Sequence, residues 1–170
     1  MANARSFFSF PNPVNEVAAR AVATGVVAMG LAVAALGWGW VLVPLTYGFI
    51  ARVLAGPRLS PLGQLAVRVV APRLRAHERL VPGPPKRFAQ GIGVVFSVSA
   101  SVLWLAGAPG AARVVIAMLV VAASLEAALG FCLGCRIFGL LMRAGVIPEE
   151  VCAECNDLTL RYPGLAAAER

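Results

Sequence analysis

The chain has 170 residues, of which 59% are apolar and only 14% are charged, and its formal net charge is +7. Soluble domains run at about 45–50% apolar and about 25% charged even with Gly counted among the apolar residues, so a water-facing globular core is excluded. A nucleic-acid interface is excluded as well. It would spread Arg and Lys over one exposed face, whereas here they bracket long apolar runs, as Lys and Arg do on the cytoplasmic side of membrane spans.

The segment from Met1 to Glu16 carries one Arg and two Pro before the first apolar run. It lacks the short basic and apolar regions of a cleaved leader and is read as retained. Asn12 followed by Pro13 offers an N-cap with a first-turn proline, and Glu16 and Arg20 form an i,i+4 pair. From Val17 to Leu54 almost every residue is apolar. As one helix this run is about 57 Å long, nearly twice the hydrocarbon thickness of about 30 Å. Gly37-Trp-Gly-Trp40 supplies the break, so spans are predicted near 17–36 and 40–54, with the two Trp residues at one membrane surface.

Between Arg52 and Phe88 the basic residues Arg52, Arg58, Arg68, Arg73, Arg75, Arg79, Lys86 and Arg87 face one acid, Glu78. This loop is expected on the cytoplasmic side. Ser60-Pro61 reads as a cap and first-turn proline, and Leu62, Leu65, Ala66, Val69 and Val70 follow with helical spacing. An amphipathic helix near 60–71, stopped by Pro72, is therefore expected on the inner leaflet, where anionic lipid favours its Arg residues. Val81-Pro-Gly-Pro-Pro85 reads as a stiff turn. A third span is predicted near 88–106, then a short outer hairpin at Gly107-Ala-Pro-Gly110. The fourth apolar run begins near Ala111 and continues to Met142. At about 48 Å it overshoots the bilayer, so the span is placed at 111–133 and the rest must project or bend.

The fold class read from this pattern is all-α. It is an integral membrane four-helix bundle forming one domain over residues 1–170, with a short interfacial amphipathic helix and a short cytoplasmic helical segment within a cysteine-bearing tail, 134–170. An even number of spans with the basic loop inside places both termini in the cytoplasm.

All four cysteines fall in two pairs, Cys132-Leu-Gly-Cys135 and Cys152-Ala-Glu-Cys155, spaced C-x2-C-x16-C-x2-C. The first pair falls at the inner edge of the fourth span. The second falls in the opening turns of a helix begun by Pro148-Glu149-Glu150. The spacing suits four thiolates around zinc, and an iron–sulfur centre is the related alternative. It equally suits two dithiols in series, since a Cys-x-x-Cys pair closes a disulfide and a helix N-terminus or neighbouring cation activates the thiolate. Arg136 beside Cys135 is placed for that role, while Glu149, Glu150 and Glu154 oppose it at the second pair. Cys also packs as a small hydrophobe, which is the reading without chemistry. The residues leave redox and metal open.

Glu126, deep in the fourth span, costs on the order of 3 kcal/mol unless it is paired, protonated or hydrated. It reads either as a proton acceptor coupled to thiol chemistry or as a structural carboxyl paired with a base such as Arg20 or Arg52. A small transporter or channel is a third class, resting on Glu126 alone. His77 has no partner at ligand spacing and reads as a loop residue. Hydrolase and nucleotide motifs are absent from the sequence.

The segments Phe10-Pro-Asn-Pro-Val-Asn-Glu16, Tyr47-Gly-Phe-Ile-Ala-Arg52, Gly56-Pro-Arg58, Val81-Pro-Gly-Pro-Pro-Lys-Arg-Phe-Ala-Gln90, Gly130-Phe-Cys-Leu-Gly-Cys135 and Ile147-Pro-Glu-Glu-Val-Cys-Ala-Glu-Cys-Asn156 together resemble the domain of unknown function 4395 family of small bacterial membrane proteins. The resemblance covers nearly the whole chain. It implies a bacterial cytoplasmic membrane protein without a settled activity, in the company of thioredoxin-like proteins and sulfurtransferases. The expected partners are accordingly the lipid bilayer and such a thiol protein, with self-association left open. The resemblance favours electron or sulfur exchange through Cys132, Cys135, Cys152 and Cys155, supported by Glu126 and Arg136. A four-cysteine zinc or iron–sulfur site is the alternative.

Overall fold

The computed structural model describes residues 10–74, 79–152 and 155. A two-residue strand β1 (Val14–Asn15) leads into helix α1 (Glu16–Ala34), and a 3-10 turn (Gly39–Val41) leads into α2 (Leu42–Ala55). A second 3-10 turn (Gly56–Arg58) precedes a rod made of α3 (Pro61–Leu65), a π turn (Ala66–Val70) and α4 (Ala71–Arg73). After strand β2 (Leu80–Val81) come α5 (Gly83–Leu105), α6 (Pro109–Leu129) and α7 (Leu133–Arg143), then a 3-10 turn (Glu149–Cys152). Among the described residues four helical segments are long and apolar enough to cross a membrane: Glu16–Ala34, Gly39–Arg73, Gly83–Leu105 and Pro109–Leu129. The chain is an all-α, multi-pass membrane bundle.

The bundle closes by pairing α1 with α6 and α2 with α5, while α5 also packs on α6 and α7. Val26, Val33, Leu45, Ala100, Ala112 and Ile116 fill the interior. Val43, Leu105, Val114 and Val121 point outward, as apolar side chains do where lipid is the solvent. Gly93 sets the α2–α5 distance, because a Cβ there would lie 2.1 Å from Phe49 Cε1. Trp38 and Trp40 stack with ring centroids 6.3 Å apart at the α1–α2 turn, where the Gly-Trp-Gly-Trp break was expected.

Local structure departs from the sequence reading at several points. Asn15, not Asn12, caps α1: its Oδ1 accepts from the backbone N–H of Val17 at 2.9 Å and of Ala18 at 3.3 Å. Asn12 Oδ1 instead accepts from the Gly83 N–H at 2.8 Å, at the start of α5. The β1–β2 ladder, Val14 opposite Val81 and Asn15 opposite Leu80, ties the same two regions together. Helix α5 therefore begins within the segment read as a stiff turn. Pro84 and Pro85 fall in its first turn, where the missing N–H groups have no intrahelical partner to lose.

Ser60 caps the 61–73 rod as expected, accepting from Gly63 N–H at 3.2 Å. Of the expected apolar stripe, Ala66 is buried and Leu62 packs against the bundle core. Gly63, Ala66 and Ala71 turn inward toward the bundle, while Leu65 and Val67 are exposed. Leu62 seats over Gly25 of α1, where a Cβ would lie 2.6 Å from Leu62 Cδ1. The long fourth run does bend: α6 stops at Gly130 and α7 starts three residues later, so neither of these two helices runs its full length. After Pro148 the chain makes a 3-10 turn over Glu149–Cys152, and Cys155 beyond it is helical. Arg75, His77, Glu78 and Glu154 lie outside the described residues.

Candidate functional site

The site is built where α1 and α5 begin and α6 ends. Gly130 sits at φ +66°, a left-handed conformation that L side chains resist. From there the Gly130 N–H donates to Glu126 O at 2.9 Å and the Phe131 N–H to Leu125 O at 3.2 Å, closing α6 with a left-handed glycine cap. Arg20 completes the cap by donating from Nε to Ala127 O (3.1 Å) and from Nη2 to Ala128 O (2.8 Å). The guanidinium expected to pair with Glu16 therefore serves the negative end of α6.

The tight turn re-aims the chain so that Cys132 becomes the N-cap of α7, with extended backbone. Its Sγ accepts from the Cys135 N–H at 3.3 Å. Cys132 is 8% exposed and Cys135 half-buried, and both are free thiols. Phe138 packs edge-on against Phe88 with centroids 5.6 Å apart, which docks α7 on α5. Phe138, Met142 and Cys152 form a small second core with Phe88, Ile147 and Cys155.

Glu126 is paired, but not with Arg20 or Arg52. Lys86 Nζ lies 2.5 Å from Glu126 Oε1, bridging the first turn of α5 to the last turn of α6. Arg52 is committed elsewhere, donating to Gln90 Oε1 at 2.8 Å and to Ser60 Oγ at 3.1 Å.

The two thiols of the first pair are pushed apart. Cys132 is held below the ordinary thiol range, first by a hydrogen bond from the Cys135 thiol and further by the Lys86 charge and the Cys135 N–H; burial and Glu126 oppose. Cys135 is pushed far upward, first by that same hydrogen bond and then by burial. The thiol with thiolate character is thus Cys132, and the cation that acts on it is Lys86. Arg136, placed by its sequence position beside Cys135, sets its guanidinium over the Phe131 ring, 5.1 Å from the centroid.

Cys152 and Cys155 are joined as a disulfide, with sulfurs 2.05 Å apart. Cys155 lines the same cavity, about 620 Å³ in volume, as Cys132, Cys135, Lys86, Arg136 and Arg143. The cavity thus holds a free dithiol and one sulfur of a disulfide within a basic wall. Among the described residues no three His, Cys, Asp or Glu side chains converge as ligands for a metal.

Lys86 is the site residue that the sequence reading missed. Counted as one more charge of the basic loop, it was not considered as a partner for Glu126. Its position just after Pro84-Pro85, at a helix start facing an acid in need of a base, is the signal that was available.

The sequence model of the family described as Domain of unknown function (DUF4395) matches residues 14–143. Comparison with curated proteins and with solved structures gave no match. The matched segment runs from β1 through α7 and includes Cys132 and Cys135, whereas Cys152 and Cys155 follow it. By that match over most of its length, the chain belongs to the DUF4395 family.

Proposed function

We propose that this chain is a membrane-embedded thiol protein that exchanges electrons or sulfur through its two Cys-x-x-Cys pairs, with Cys132 as the attacking nucleophile. The observation that carries the reading is the split between the thiols: Cys132 is acidified at a helix N-cap while Cys135 keeps its proton. A nucleophile next to a protonated resolving thiol is what disulfide exchange requires.

For electron exchange, the Cys132 thiolate attacks Cys155 Sγ. The Cys132–Cys155 bond forms, the Cys152–Cys155 bond breaks, and Cys152 leaves as a thiolate that takes up a proton. Cys135, once deprotonated, attacks Cys132 Sγ and releases Cys155 in the same way. One dithiol is oxidised and one disulfide reduced, with two electrons and two protons conserved. The reduced second pair then passes electrons to a disulfide on a thioredoxin-like partner. For sulfur exchange, Cys132 takes the terminal sulfur of a persulfide on a sulfurtransferase-like partner, releasing that partner's thiolate and becoming a persulfide itself.

The basic end of the bundle, which carries the site, is assigned to the cytoplasmic side on the positive-inside rule. The thiols then face a reducing compartment where a disulfide turns over rather than persisting as a staple. The test is alkylation trapping with mass spectrometry across glutathione redox buffers. Interconversion of dithiol and disulfide at both pairs supports the reading. Thiols at Cys132 and Cys135 that stay unmodified across the whole range of potentials overturn it.

A further inference from the structure

We propose that a second cavity, around Arg52, binds the oxyanion head of a single-chain amphiphile. Arg52 is 4% exposed in the last turn of α2. Its Nε and Nη1 donate to the neutral acceptors Gln90 Oε1 and Ser60 Oγ, and its Cζ lies 4.7 Å from the Phe49 ring centroid. Nη2 is buried and has no hydrogen-bond acceptor among the described residues. The guanidinium is therefore desolvated, uncompensated in charge, and short of an acceptor at one nitrogen. Native interiors rarely leave that combination unanswered.

Arg52 lines a cavity of about 260 Å³ whose other walls are largely apolar, including Val14, Ala18, Val22 and Val67. Lys86 is the other charged residue in its lining, and that charge is already matched by Glu126. The cavity thus carries one net positive charge against apolar walls. Water supplies acceptors but no negative charge, whereas a carboxylate or phosphate ester oxygen supplies both. The volume lies below the range of about 300–1,000 Å³ typical of drug-sized ligand pockets. It therefore suits a head group with the start of one chain and is too small for a whole diacyl lipid. The remainder of an alkyl chain belongs with the apolar exterior of the bundle. The chemistry is an oxyanion on an apolar chain, carboxylate or phosphate monoester.

The test uses the full chain in maltoside micelles, with dansyl-undecanoate as a fluorescent probe and dodecanoate, dodecyl phosphate, dodecanol and inorganic phosphate as competitors. Displacement by dodecanoate, dodecyl phosphate or both is expected and names the head group. Arg52→Gln weakens probe binding about tenfold or more, the scale of losing a buried charge-assisted partner. Val67→Trp, at an exposed wall position that leaves the Arg52 hydrogen bonds untouched, weakens it as well and decides the matter where Arg52→Gln does not fold. The Cys132→Ser/Cys135→Ser double variant binds the probe normally, so failure here is distinct from failure of the thiol reading. Unchanged binding in both the Arg52 and Val67 variants overturns the proposal, as does displacement by dodecanol or by inorganic phosphate as effective as by dodecanoate.

Discussion

Lys86 Nζ and Glu126 Oε1 meet at 2.5 Å across the junction of α5 and α6, with side chains 9% and 15% exposed, and the two charges bear on Cys132 with opposite sign. The pair is at once a clamp between two spans and the electrostatic neighbour of the nucleophile. Its two members can be separated by experiment because removing either leaves the other buried and alone.

Removing one partner of a buried ion pair costs about 3–5 kcal/mol, while replacing both with apolar groups of similar volume is often neutral. Lys86→Met and Glu126→Gln should each lower stability by that order in reversible unfolding from mixed micelles. The Lys86→Met/Glu126→Met double variant should recover most of it. Additive losses in the double variant would show that the pair does not clamp the helices.

The same pair sets a pH dependence. A thiol alkylates as its thiolate, and Cys132 is held below the ordinary thiol range while Cys135 is pushed above it. Iodoacetamide at neutral pH should therefore label Cys132 and leave Cys135 free, with the alkylation profile of Cys132 lying at lower pH than that of an ordinary thiol. Lys86 lowers and Glu126 raises the Cys132 value, so Lys86→Met should shift the profile to higher pH and Glu126→Gln to lower pH. Peptide mapping after timed alkylation reads all three. Equal labelling of both thiols would contradict the assignment of Cys132 as nucleophile.

The main architecture was legible because its signals are one-dimensional. Apolar run length, the Gly-Trp-Gly-Trp break and the Ser60-Pro61 cap each act through neighbours in the chain. The site was legible only as a cluster of sulfurs. Helical phase places Glu126 and Cys132 about 240° apart on an ideal helix, yet the helix ends at Gly130, and the turn there sets Cys132 by a rule that phase arithmetic does not contain. In the sequence Cys132 and Cys135 are equivalent members of a motif. The N-cap position, at which Cys132 Sγ accepts from the Cys135 N–H, distinguishes them, while Lys86 and Glu126 act on both thiols with the same sign. Arg20 shows the same limit, since its partners are carbonyls more than 100 residues away rather than the acid four residues before it.

Two glycines two residues apart in α5 should behave in opposite ways. A Cβ on Gly93 meets Phe49 Cε1 at 2.1 Å, whereas a Cβ on Gly91 meets nothing within 4 Å. Gly93→Val forces Phe49 away, and with it the ring beneath Arg52, so a loss of about 1–3 kcal/mol is expected from overpacking. Gly91→Ala should be neutral, or stabilising by up to about 1 kcal/mol through helix propensity. Thermal midpoints of the two variants in one detergent make the comparison. A tolerated Gly93→Val would mean that α2 and α5 do not pack this closely.

The shared cavity makes the sharpest demand on the proposed relay. Cys132 and Cys155 both line it, and the exchange requires their sulfurs to bond directly. In a Cys135→Ser/Cys152→Ser double variant these two are the remaining cysteines, so neither native pair can close. Mild oxidation should then give an intramolecular Cys132–Cys155 disulfide, detected as a cross-linked peptide in the monomer. The complementary Cys132→Ser/Cys155→Ser variant retains Cys135 and Cys152. It should cross-link far more slowly, because Cys152 is buried in the second core and, unlike Cys155, does not line the cavity. Comparable rates in the two variants would mean that the shared cavity does not select the Cys132–Cys155 pair. Failure of the first to cross-link, while its thiols still alkylate, would place the two pairs in separate circuits and leave Cys132 and Cys135 to act on an external partner without the second disulfide.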